Sequence, residues 1–141
     1  MKTVKQQQVW DIEDDDVLRR QHGELIRGSF PGVSVELFSD TRSAWRAEGT
    51  PAVILLDLGG VYGSHFGGQI EAYSMHVEAV AKKHPGAVLG VYSAVGGWAD
   101  SVIEEVRKTC PDNVMEPVDA HDHEKLIEFL SKWLVGERRA I

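Results

Sequence analysis

The sequence predicts an α/β fold: a five-stranded parallel sheet, doubly wound by helices into three layers. Two observations carry that expectation. Short apolar runs alternate strictly with segments of helical period, five times over residues 7–135. The third run, Val53 to Leu56, is apolar at every position, as a strand buried on both faces of a parallel sheet must be. No repeat, low-complexity stretch or linker divides the chain, so residues 1–141 read as one domain.

The elements follow in order. "VWDI" (9–12) is a short first strand. "VLRRQHGELI" comes next, with Leu18, His22, Leu25 and Ile26 on one helical face. Asp15 and Asp16 suit that helix's N-terminus, where the dipole favours acids. "VSVELF" (33–38) is the second strand, and Ser39 and Asp40 can cap a short helix running through Ala47. "AVILLD" (52–57) is the third strand. After a Gly-rich loop, Ile70, Tyr73, Val77, Val80 and Ala81 recur at helical spacing. "AVLGVYS" (87–93) is the fourth strand. The next helix carries Ala99, Val102, Ile103, Val106 and Cys110 on one stripe. "NVMEP" (113–117) is the fifth strand. Asp119 is the expected N-cap of a last helix bearing Leu126, Ile127, Leu130, Trp133 and Leu134.

Composition narrows the function classes. The chain has 141 residues, 43% hydrophobic and 26% charged, ordinary for a globular protein. Its net charge of -7, with 22 acidic against 15 basic residues, argues against a nucleic-acid surface. The one basic cluster, Arg138-Arg139, reads as a frayed tail. Cys110 is the only cysteine, so no intrachain disulfide forms, and a reducing cytoplasm fits. No apolar stretch approaches membrane-spanning length, and "MKTVKQQQ" lacks the apolar core of a secretory signal.

In parallel sheets of this kind ligands sit at the carboxyl ends of the strands, where strand order reverses. Those ends carry a pattern here. The first strand runs into "EDDD" (13–16), and the third ends in Asp57. The fourth ends in Ser93-Ala94, and the fifth in Glu116-Pro117. Two unit charges about 4 Å apart repel by about 4 kcal/mol at an effective dielectric near 20. Such a cluster must bind protons or a cation. A hard divalent ion, Mg²⁺ first, suits oxygen ligands without His or Cys. A carboxylate beside it can act as a nucleophile toward phosphorus.

At this point the sequence resembles the receiver domain of two-component response regulators, over about residues 7–135. "IEDDDVLR" is similar to that family's acidic motif, and "PAVILLDL" to its strand with the phospho-accepting aspartate. "VYSA" is similar to its Ser/Thr-Ala strand, and "EPVDAHDHEKLIEFL" to its Lys-Pro segment and last helix. The resemblance implies a flavodoxin-like fold and a place in phosphorelay signalling rather than enzymology. It implies that Asp57 accepts a phosphoryl group from a histidine kinase or phosphotransfer protein. It implies that Glu13, Asp14, Asp57 and the carbonyl of Gly59 hold Mg²⁺, and that Ser93 is the switch hydroxyl. It also implies an outlet through the face of the fourth helix, fifth strand and last helix, to a second copy or a downstream protein, with Trp98 and Trp133 as anchors. Since the chain ends just after the last helix, a stand-alone module is expected.

Three departures stand out. Glu116 occupies the place of the family's lysine, so it is expected to add negative charge beside the phosphoryl group. Asn113 replaces the aromatic switch residue. The segment from Leu58 to Gln69 is longer than usual. The alternative is therefore a pseudo-receiver that binds partners without taking phosphate. A further alternative is a haloacid-dehalogenase-type phosphatase, since "LLDLGGVY" resembles that nucleophile motif. There, however, an acid follows two residues on, where this chain has Gly59.

Other residues have plainer readings. Asp11 is expected at an edge-facing position of the first strand. His22, on an apolar face, reads as a satisfied core histidine. The "HDH" at 121–123 lacks the partners of a zinc site and reads as a solvated turn. Cys110 reads as packing. The glycines at 59, 60, 63, 67 and 68 match neither a phosphate-binding loop nor a dinucleotide fingerprint.

Overall fold

The computed structural model describes residues 7–60, 70–93 and 97–134. Five strands, β1 (Gln8–Ile12), β2 (Ser34–Phe38), β3 (Val53–Asp57), β4 (Val88–Tyr92) and β5 (Met115–Pro117), alternate with five helices. These are α1 (Asp16–Ser29), α2 (Thr41–Arg46), α3 (Ile70–Lys83), α4 (Trp98–Arg107) and α5 (His123–Trp133). All strand pairs are parallel, in the order β2-β1-β3-β4-β5. Strand order therefore reverses between β1 and β3.

Side chains alternate across this sheet and build two cores. Trp10, Ile12, Ile54, Leu56, Leu89 and Val91 face α3 and α4. Val9, Val53, Leu55 and Tyr92 face α1 and α5. All five residues of β3 are buried, which explains why its run is apolar until Asp57. Burying each large aliphatic side chain contributes about 1.5–3 kcal/mol, so the central strands hold the layers together. Gly90 lets α5 approach β4. A Cβ there would lie 2.8 Å from the Phe129 ring and 3.2 Å from Leu55.

Capping sets where the helices start. Asp15 accepts from the amides of Val17 (2.9 Å) and Leu18 (3.0 Å), and Asp40 from that of Ser43 (2.7 Å). Each such cap contributes about 1 kcal/mol. Two sequence boundaries shift by more than one residue. The last helix is capped by Asp122, through the amides of Glu124 and Lys125, not by Asp119. Asp119 instead accepts from the amide of His121, because residues 119–122 form a turn before the helix begins. The fifth strand is also shorter than 113–117, because Asn113 turns to donate its amide to the Ala81 carbonyl at 3.0 Å. Cys110 is buried and packs in the α3–α4 core. Among the described residues no helix is long and apolar enough to cross a membrane.

Candidate functional site

The strand-order reversal leaves a crevice beyond the ends of β1 and β3, and the chain fills it with acids. Glu13 and Asp14 follow β1, and Asp57 is the last residue of β3. One carboxylate oxygen from each lies within 4.8 Å of the other two. They border a cleft of about 600 Å³, with Ser93 at the end of β4, Trp98 at the start of α4, and His121 on its rim. Trp98 is half-buried and meets Tyr73 edge-on at 5.2 Å.

Gly59 is fitted to this cluster. A Cβ at residue 59 would lie 2.9 Å from Asp57 Oδ2 and 3.1 Å from Asp14 Oδ1. No side chain fits there without displacing the carboxylates, and the Gly59 amide donates to Asp57.

The electrostatics follow from burial and like charge. Asp57 is 7% exposed. Burial pushes its carboxyl up to about 9, and Asp14 and Glu13 beside it push the same way. Burial also raises Glu13, against hydrogen bonds from the Tyr92 hydroxyl (2.7 Å) and the Asp15 amide (3.0 Å). Asp14 is lowered, first by its hydrogen bond with Asp57. Burial and like charge thus favour a proton held at the Asp57–Asp14 pair when no cation is bound. A cation would do the same work with all three ionised. The donor set is all oxygen and hard, so it fits Mg²⁺ or a similar ion.

Behind the acids runs a buried polar network. Tyr92 directs its hydroxyl at Glu13 Oε2, with Asp11 Oδ1 at 3.3 Å. Asp11 Oδ2 lies 2.9 Å from His22 Nδ1, and His22 Nε2 lies 2.8 Å from the Ala120 carbonyl. A carbonyl only accepts, so Nε2 carries a proton. The contact to Asp11 then needs one more proton, on Nδ1 or on the carboxyl. Burial alone would lower His22, but the hydrogen bond and charge of Asp11 raise it, which favours the imidazolium. The pair joins β1, α1 and the loop before α5.

The sequence readings fare unevenly. Glu13, Asp14, Asp57, Gly59 and Ser93 do converge on one cleft. His22 is a satisfied core residue, as expected. Asp11 is not edge-facing: β1 is an inner strand, and Asp11 is fully buried against His22. Glu116 does not line the cleft. It pairs with Lys132 of α5 and lies 3.5 Å from the Trp133 indole nitrogen. Most of the long loop (61–69), Ala94 and Arg138-Arg139 lie outside the described residues. Tyr92, inside an apolar strand, carries no signal in the sequence beyond its place next to Ser93, and His121, read there as part of a solvated turn, lines the cleft. Asp11 and His22 had a signal: each is a polar residue on an otherwise apolar face, and two such residues satisfy each other.

No family model matches the chain, and no curated protein matches it in sequence. Solved structures do match in shape. A LuxR family DNA-binding response regulator from Silicibacter pomeroyi is 20% identical with a TM-score of 0.63, covering 93% of each chain. A chemotaxis protein from Vibrio cholerae is 15% identical with a TM-score of 0.61, covering 92% of this chain and 100% of that one. The signal receiver domain of an HD domain-containing protein from Pseudomonas fluorescens is 11% identical with a TM-score of 0.68, covering 95% and 91%. The chain therefore has the flavodoxin-like fold of response-regulator receiver domains.

Proposed function

We propose that the chain is a phosphorylation-responsive receiver module with Asp57 as phosphoacceptor. One observation carries this reading. Three carboxylates from the ends of two strands lie together at the strand-order reversal, and Asp57, the more buried of the Asp pair, lines an open cleft. An Asp57 carboxylate oxygen attacks phosphorus in a phosphohistidine or a small phosphoramidate. The new O–P bond forms as the P–N bond breaks, and the leaving nitrogen takes a proton. Glu13, Asp14 and Asp57 would hold Mg²⁺, which neutralises the acids and the incoming phosphoryl oxygens when bound. Ser93, which lines the same cleft, would hydrogen-bond the phosphoryl group. The partner class is a histidine kinase or phosphotransfer protein, and a cytoplasmic setting fits.

The phosphatase reading is weaker on steric grounds. Its acid two residues after the nucleophile would stand at residue 59, where a Cβ already meets both carboxylates. The pseudo-receiver reading keeps one supporting observation: no lysine or arginine lines the cleft among the described residues. Intact-mass measurement after incubation with Mg²⁺ and phosphoramidate separates the two. A gain of one phosphoryl group, absent in Asp57→Asn, supports the phosphoacceptor. No gain in the wild type supports the pseudo-receiver.

A further inference from the structure

A receiver that takes a phosphoryl group on Asp57 needs a positive or hydrogen-donating contact for its oxygens, since the surrounding acids repel them. The fifth strand does not supply it, because Glu116 is engaged by Lys132 outside the cleft. Among the described residues lining the cleft, one side chain can carry positive charge: His121.

The place of His121 is built rather than incidental. The preceding residue, Ala120, is fully buried, and its carbonyl accepts from His22 Nε2 at 2.8 Å. His22 is itself fixed by Asp11. The amide of His121 donates to Asp119 Oδ1. Its exposed ring meets the Tyr92 ring edge-on at 6.2 Å between centroids, and the Tyr92 hydroxyl touches Glu13. The buried network thus runs from the acid cluster, through Tyr92, Asp11 and His22, to the backbone that presents His121. An imidazole N–H donates to an anion oxygen whether the ring is charged or neutral.

We infer that His121 is the anion contact of this cleft, taking the role of a basic residue toward phosphoryl oxygens bound at Asp57. The inference rests on the phosphoacceptor reading. Its parts are separable: the acids and cation set where the group goes, and His121 sets how fast it arrives and how long it stays.

The test follows Asp57 adduct formation and decay by intact mass, with Mg²⁺ and phosphoramidate, in wild type, His121→Ala, His121→Gln and His121→Lys. Losing a charge-assisted contact should slow formation or shorten lifetime about tenfold in His121→Ala. His121→Gln, which keeps a donor, should fall between, and His121→Lys should match or exceed the wild type. Mg²⁺ affinity, read from intrinsic tryptophan fluorescence, should change by less than about twofold in His121→Ala, because the cation binds carboxylates. Equal adduct kinetics in His121→Ala and wild type overturn the inference alone. So does a loss in His121→Ala that His121→Lys fails to rescue. If the wild type forms no adduct, the phosphoacceptor reading fails and this inference falls with it.

Discussion

Asp57 is held in a state that costs the metal-free protein stability. Its carboxyl is raised from an ordinary 3.8 to about 9, so the folded chain keeps a proton that the unfolded chain has released. Stability from this group therefore falls as pH climbs from about 4 to about 9. His22 adds to the trend. It is raised above its ordinary 6.5 by Asp11, so its contribution is full below that value and is lost as pH rises through the folded one. Without divalent ions, the melting temperature should be lower at pH 8.5 than at pH 6. Mg²⁺ should raise it more at pH 8.5, where the carboxylates are cheaper to ionise. Asp57→Asn should stabilise the metal-free protein by about 1–2 kcal/mol, a shift of about 3–7 °C for a chain of this length, and should abolish the Mg²⁺ response. A melting temperature that rises with pH in chelator contradicts this account. His22→Ala breaks a buried pair and leaves Asp11 and the Ala120 carbonyl without it, at a cost of about 3–5 kcal/mol by denaturant unfolding. A loss below about 1 kcal/mol would show that the network is not structural.

At the scale of elements, α5 is where sequence and structure diverge most. Its apolar stripe was readable from spacing, and Leu126, Ile127 and Leu130 do pack on the sheet. Its start was not, because Asp119 and Asp122 are equally good caps by type. The choice is made by the turn that buries Ala120 beneath His22, a contact 98 residues away in sequence. Glu116 diverges for a similar reason. Its neighbours on α5, Lys132 and Trp133, lie beyond the reach of a local reading. The Glu116–Lys132 pair is surface-exposed, with Lys132 58% accessible, so Glu116→Lys should change stability by less than about 1 kcal/mol. The seating of α5 on β4 depends instead on Gly90. Gly90→Ala forces a methyl against Phe129 and should cost about 1–3 kcal/mol. Phe129→Leu in the same background should recover part of that loss by clearing space. Unchanged denaturant midpoints in Gly90→Ala would contradict the tight packing.

At the scale of the molecule, the architecture was legible because parallel sheets write strong signals. Runs such as Val53–Leu56 are apolar throughout, and their carboxyl ends are where polar residues can gather. That is why Glu13, Asp14, Asp57 and Ser93 are assignable to one edge from the sequence alone. The support behind them was not legible. Asp11 reaches His22, and Tyr92 reaches past β3 to Glu13, only through pairings that the strand order decides. The central claim is that this edge is a phosphoacceptor site, and borohydride trapping tests it most directly. An aspartyl phosphate is reduced to homoserine, which peptide mass mapping then locates. The account predicts homoserine at residue 57, dependent on both phosphoramidate and Mg²⁺. No homoserine there, or homoserine at residue 14 instead, would contradict it.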